Sequence, residues 1–164
     1  MSSSEAVILG VDPGTAITGV GVVSFSGRGD DISSLYFGCI QTAKNLSREN
    51  RLKVVFSDLN RIIEAYHPDG MAVEELFFNK NSKTVISVGE ARGVVLLAAA
   101  LHQLPVWEYT PLQVKQSVVG YGRAKKEQVI YMVKQILKIE QELRPDDVAD
   151  ALAVAICHAL CWRR

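Results

Sequence analysis

Residues 7–23 read VILGVDPGTAITGVGVV, an apolar run that breaks at Asp12-Pro13-Gly14 and then resumes as a second apolar run. Two such runs on either side of Asp-Pro-Gly turn chemistry predict strands over 6–12 and 18–26 joined by a tight turn. This stretch decides the fold, and it also places a carboxylate at the end of a strand apolar enough to be buried. A buried aspartate is costly unless it is hydrogen-bonded, paired or bound to a cation. Asp12 is therefore either a turn residue that reaches solvent or one member of a charged site, and the stretch alone leaves both open.

Beyond this pair, Leu35 to Thr42 follows the polar segment SGRGDD as a third strand, and connections this short suit an antiparallel meander. From 47 to 66 the apolar residues Leu52, Val55, Phe56, Leu59, Ile62, Ile63 and Tyr66 recur every three or four positions. That spacing predicts an amphipathic helix, stopped by His67-Pro68. GMAVEEL (70–76) predicts a strand, NKNSK (79–83) a polar loop, and 84–103 a helix whose later turns, GVVLLAAALH, are apolar nearly all round. Such a helix is covered on both sides, either centrally in the core or by a partner chain. LPVWEY (104–109) returns to the strand pattern. TPLQVKQSVVG (110–120) is a short helix with Thr110 as cap and Pro111 as first position, KKEQVIYMVKQILK (125–138) is another, and a last helix runs from about Asp146 to Trp162. Helices between the later strands imply parallel pairing. The prediction is an α/β fold with a mixed five-stranded sheet, an antiparallel meander plus parallel strands, flanked by helices.

With 164 residues, 48% of them hydrophobic, the chain suits one domain over 1–164 with a sizeable core. An uninterrupted apolar run of about 18 residues, the mark of a membrane span, does not occur. Met1-Ser2-Ser3-Ser4-Glu5 lacks the charges and apolar stretch of a secretory signal, and a cytoplasmic location is expected. The three cysteines, Cys39, Cys157 and Cys161, cannot all pair within the chain, which suits a reducing compartment. Cys157, His158 and Cys161 share one apolar helical segment with no second cluster to complete four ligands. They read as buried structural residues rather than a zinc site. Net charge is zero, which gives no global argument for nucleic acid. Between Thr110 and Lys138, however, Lys115, Arg123, Lys125, Lys126, Lys134 and Lys138 stand against the single acidic Glu127. A one-sided surplus of this kind is the form an electrostatic footprint takes.

Acidic residues recur where apolar elements end. Asp12 closes the first strand, and Glu74-Glu75 interrupt the fourth. In RPDDVADALAVAICHA (144–159), Asp147 and Asp150 are three apart and share a helix face, and Asp146 and Asp150, four apart, share one nearly as well. One of Asp146 and Asp147 is expected to cap the helix and complement its dipole, and Glu75 reads equally as a solvent-facing strand residue. Asp150 leads into a helix with hardly a polar side chain. If Asp12, one glutamate and the helix pair converge, their repulsion is severe without cations. Clustered oxygen ligands with no histidine or thiolate suit magnesium or manganese rather than zinc. Two such ions about 3.5–4 Å apart can activate a water and stabilise the leaving oxygen in phosphodiester cleavage.

The segments ILGVDPGTAITGVGVV, CIQT, AVEELFFNKN, GEARGVVLLAAA, LPVWEYTPLQVKQSVVGYGRAKKEQV and RPDDVADALAVAICHA, in this order and spacing, resemble the RuvC family of Holliday-junction resolving endonucleases over nearly the whole chain. The resemblance implies a ribonuclease H-like fold and a homodimer that cuts two strands of a four-way DNA junction symmetrically, in homologous recombination and repair. It also implies the RuvA-RuvB branch-migration complex as a partner and Mg2+ as cofactor, two ions per site, with Mn2+ as a substitute. Position by position, it puts the site carboxylates and metal ligands on Asp12, Glu74, Asp147 and Asp150. It selects Glu74 over Glu75, which strand alternation puts on the opposite face, and Asp147 over Asp146, which is left as the cap. Some members carry histidine at the position of Asp147. Phe77 matches the aromatic that stacks on a base at the opened junction. Lys115 and Lys126 match lysines important for activity, suited to holding phosphates or stabilising charge on the scissile group, and Arg123 and Lys125 read as backbone binders. The apolar helix around GVVLLAAALH falls where the family dimerises. The chain stops at CWRR where some members continue into a basic tail, so junction affinity from such a tail is not expected.

Two rival readings remain. The 7–23 stretch also resembles the first phosphate loop of actin-like sugar and acetate kinases, which need two lobes where this chain has length for one. The other rival is a junction-binding module without cleavage, against which the four acids weigh, since they repel phosphate unless metal is present.

Overall fold

The first apolar run forms β1 (Ala6–Asp12) and, past the Asp-Pro-Gly turn, β2 (Ile17–Phe25), paired antiparallel with Asp12 opposite Gly19. The structure, a computed structural model, describes residues 5–26, 31–76 and 82–162, except the side chains of 82 and 83. The third strand, β3 (Ile32–Gln41), starts at Ile32 rather than Leu35, because pairing with β2 continues through a register shift that leaves Leu35 as the extra residue of a bulge. α1 (Arg48–Tyr66) follows its N-cap Ser47 and ends where His67 turns left-handed and its N–H bonds the Ile63 carbonyl, with Pro68 unable to continue it. β4 (Gly70–Glu74) pairs parallel with β1, and β5 (Val106–Tyr109) pairs parallel with β4. Between them α2 (Ser82–Leu101) begins inside the stretch expected as loop, whose residues 79–81 lie outside the described residues. α3 (Pro111–Val119), capped by Thr110, α4 (Lys126–Leu137) and α5 (Asp146–Cys161) complete the chain. The strand order is β3-β2-β1-β4-β5, a mixed five-stranded sheet as the pattern predicts.

Alternation along the central strands sorts their side chains between two helical layers. Leu9, Val11, Met71 and Val73 pack with Val55, Leu59, Val95 and Ala98 of α1 and α2. Ile8 and Ala72 point the other way, into the cluster built by α3, α4 and α5. Counting on by two puts Asp12 and Glu74 on the α5 side. α5 lies almost against the strands themselves: a Cβ on Gly10 would collide with the Ala151 carbonyl oxygen, and one on Gly19 with that of Asp147. Glycine at these two positions lets the first turns of α5 settle over the end of β1.

Cys157 and His158 are core, as expected, whereas Cys161, the last residue of α5, is exposed rather than buried. Cys157 lies 3.3 Å from the Ser117 hydroxyl, and the buried His158 meets the Tyr109 hydroxyl through Nδ1 at 2.6 Å. Burial pushes the His158 imidazole down to about 4, which keeps it neutral. α2 behaves differently. Ala91, Val95, Ala98 and Ala99 are buried, while Ile86, Leu97 and Leu101 are 63%, 53% and 64% exposed. By length and composition Thr84–Leu101 is apolar enough to cross a membrane, although Glu90 and Arg92 interrupt its apolar run. Both are engaged in ion pairs, with Arg48 and Glu108 respectively.

Candidate active site

Asp12 and Glu74 end adjacent parallel strands whose last register pair is Val11 with Val73. Both carboxylates therefore emerge at the same sheet edge, on the α5 face. Asp147 and Asp150, one turn of α5 apart, meet them there: Asp12 feels the charges of Asp150, Asp147 and Glu74 in that order. Burial first, and then these three neighbours, push the Asp12 carboxyl up to about 8, with Asp147 near enough to share the proton. Glu74 is also raised, by burial and by Asp150, against the opposing pull of Lys115 and Lys126. Asp150 is raised by burial although Lys126 opposes it. Four acids and two lysines thus form one interacting group drawn from β1, β4, α3, α4 and α5.

Lys126, the first residue of α4, lies 3.4 Å from Asp146 Oδ2 and 3.6 Å from Asp150 Oδ2. Burial would lower its ammonium, but these two carboxylates outweigh that effect and raise it. The Asp146 contact corrects an expectation. Pro145 occupies the N-cap position of α5, without a side-chain cap bond, and Asp146 sits in the first helical turn. Its carboxylate serves Lys126 rather than the helix amides. Beside these groups lies a cavity of about 220 Å3, lined by Glu74, Lys115, Lys126 and Asp150 and by apolar Pro111, Val114, Val129 and Ala153. Asp12 and Asp147 are outside its lining. Arg123 and Lys125 are exposed just before α4, and the Lys125 amide is held by Gln128 Oε1 at 2.8 Å. Phe77 lies outside the described residues. Arg92, which the sequence reading did not single out, donates from α2 to the Glu74 carbonyl oxygen at 2.8 Å. Its signal in the sequence was a lone arginine inside an apolar helix.

Among the described residues, no three His, Cys, Asp or Glu side chains close on a single metal position. Lys126 contacts Asp150 and Asp146, and Asp12 engages Asp147. The donor set nonetheless fits a hard divalent cation: it is all carboxylate oxygen, and burial, which is the first cause raising Asp12, Glu74 and Asp150 alike, disfavours their charged forms unless a cation accompanies them.

The glycines of 7–23 do not form an open phosphate loop. Gly10 and Gly19 are covered by α5, and Thr18 Oγ1 donates to the Gly14 carbonyl at 2.6 Å. A mixed sheet in this strand order, with acids at the ends of two adjacent parallel strands and a second pair on the helix across them, is the architecture of a ribonuclease H-like fold. Residues 8–158 match the family described as crossover junction endodeoxyribonuclease RuvC. The crossover junction endodeoxyribonuclease RuvC of Desulforamulus reducens is 56% identical over 153 residues, covering 93% of each chain. The solved Thermus thermophilus RuvC in complex with Holliday junction substrate superposes with a TM-score of 0.89 at 36% identity, over 95% of this chain and 94% of that one. A yeast mitochondrial Holliday junction resolvase, 13% identical with a TM-score of 0.67 over 93% of this chain and 77% of its own, shares the fold. The chain belongs to the RuvC family, whose nucleases are divalent-metal dependent.

Proposed function

We propose that this chain is a structure-selective endonuclease that resolves four-way DNA junctions by hydrolysing one phosphodiester on each of two strands. The observation that carries this is the meeting of Asp12, Glu74, Asp147 and Asp150 at one sheet edge, beside Lys115 and Lys126. Those four carboxylates would hold Mg2+, two ions per site, with Mn2+ accepted in its place. A metal held there would supply activation of a water and stabilisation of the leaving oxygen. The protein's own groups do the rest. Asp12 gives up its proton to become a ligand, and Lys126, held between Asp146 and Asp150, keeps positive charge beside the scissile group. Lys115 holds a phosphate in the cavity. Arg123 and Lys125 bind the flanking backbone, and Phe77 stacks on a base at the opened centre.

The exposed Ile86, Leu97 and Leu101 on α2 favour a homodimer built on that face, whose two-fold axis would match the near two-fold symmetry of the junction. In this reading residues 1–164 act as one nuclease domain, in the cytoplasm, in recombination and repair with the RuvA-RuvB branch-migration complex. The test is incubation of the purified protein with an end-labelled four-way junction and a matched linear duplex, with and without Mg2+, beside Asp12→Asn. Paired nicks on opposing strands of the junction, dependent on metal and on Asp12, are the expected result. A junction bound but uncut under every divalent metal would mark a binding module instead.

A further inference from the structure

A backbone acceptor at the edge of the site lacks a strand donor. Val11 and Val73 are the last parallel pair between β1 and β4. Met71 N–H bonds the Pro105 carbonyl and Glu75 N–H that of Tyr109, so odd-numbered residues of β4 turn their backbone groups toward β5. Glu74 then turns its own toward β1. Continuing that parallel ladder by one step would have residue 13 donate to the Glu74 carbonyl. Residue 13 is Pro13, which has no N–H. The donor comes instead from the opposite layer: Arg92 Nη1 lies 2.8 Å from the Glu74 oxygen, and Nη2 lies 2.5 Å from Glu108 Oε1 on β5. The Arg92 side chain is 13% exposed and that of Glu108 46%, so the fork is buried where it meets the strand end and open where it meets the carboxylate.

We propose that Arg92 is a positioning residue for Glu74: its rigid fork ties the end of β4 to α2 and β5 and thereby sets where the Glu74 carboxylate enters the site. This rests on reading Glu74 as a metal ligand. A buried carbonyl left without a donor is a cost the chain would relieve by moving, and ligand displacements on the order of 1 Å are enough to lose much of a site's activity. Arg92 does not itself line the cavity; its hydrogen bonds go to the Glu74 carbonyl and to Glu108, so its effect on the site passes through the backbone of Glu74.

The test uses the full chain and four variants: Arg92→Ala, Arg92→Lys, Glu108→Gln and Asp12→Asn. Mn2+ binding without DNA is followed by loss of the free-ion electron paramagnetic resonance signal. Single-turnover cleavage is measured across metal concentrations, junction affinity in chelator, and thermal unfolding beside them. Arg92→Ala is expected to raise the metal midpoint of both binding and cleavage about tenfold or more, with junction affinity in chelator unchanged and cleavage largely restored at high metal. Arg92→Lys, with one donor in place of a fork, is expected to raise it by about threefold, and it carries the test if Arg92→Ala does not fold. Glu108→Gln keeps the carbonyl bond and is expected to leave the midpoint near that of the parent. An unmoved midpoint in both Arg92 variants overturns the proposal. So does a loss of metal binding, junction binding and melting temperature in step, or a Glu108→Gln defect equal to that of Arg92→Ala. If Asp12→Asn binds metal and cuts normally, the reading of the site itself fails, independently of Arg92.

Discussion

α5 and α2 are both apolar nearly all round, and the fold uses them in opposite ways. α5 lies between the sheet and α3 and α4, so that the residues from Val148 to Ala159, apart from Asp150, are buried. α2 covers the other face of the sheet at its margin, packs inward on α1, and leaves Ile86, Leu97 and Leu101 in solvent. The difference lies in what surrounds each helix. α5 has a helical layer outside it, so its apolar circumference is consumed by the chain's own core, and its acidic first turn is the part left partly open. α2 has none, so its apolar circumference is available to a second chain, and its polar residues serve as ties to neighbouring elements. An all-round apolar helix thus signals two-sided cover, and its place in the layer order decides whether that cover is internal.

Four changes sharpen or break this contrast. The largest effect is expected at the α5 end, where Asp12→Asn should lower junction cleavage by roughly a thousandfold or more while gel-shift affinity in chelator stays intact. Next, Gly10→Val should destabilise the protein by about 3 kcal/mol or more, because the added Cβ meets the Ala151 carbonyl and lifts α5 from β1; a denaturant melt close to that of the parent would show that α5 does not depend on this approach. At the α2 face, Leu97→Lys with Leu101→Lys should convert a dimer to monomers in analytical ultracentrifugation and uncouple the paired nicks. The fold of each protomer should change by less than about 1 kcal/mol, since both side chains are already solvent-exposed. A dimer that survives this pair of charges would place the partner elsewhere.

The smallest effect concerns pH. Asp12 holds its proton up to about 8, against 3.8 for an unperturbed aspartate. Its folded-state pKa is raised, so the metal-free protein should lose stability as pH rises from about 4 to about 8. Divalent metal, which requires the ionised carboxylate, should bind more tightly by up to about tenfold per pH unit below 8 and level off above it. Mn2+ titrations at several pH values, with Asp12→Asn as a control lacking this dependence, measure the slope.

Part of the candidate site was legible in short-range periodicity: alternation puts Glu74 and Glu75 on opposite faces of the strand, and helical spacing lets Asp150 share a face with Asp147 and nearly as well with Asp146. The resemblance to the family chose Glu74 and Asp147 among them. Asp146 was misread as the cap because the cap position depends on where the chain enters the helix. Pro145 takes that place, and Lys126, twenty residues earlier in the chain, competes for the freed carboxylate. The role of Arg92 was hidden for a related reason, although a lone arginine in an apolar helix marked the residue. Its role exists only because β1 lies beside β4 in a register that brings Pro13 opposite the Glu74 carbonyl.

By itself, the sequence determined the order of elements, the acids that end them and the family its segments resemble, since each is written in local patterns of turn chemistry and apolar spacing. Only the tertiary structure decided that Asp12, Glu74, Asp147 and Asp150 interact across more than a hundred residues of chain. It also decided that one apolar helix is enclosed and the other left open. Both outcomes depend on which strands become neighbours and which helices form an outer layer, and those choices follow from the packing of the whole core rather than from any local run of residues.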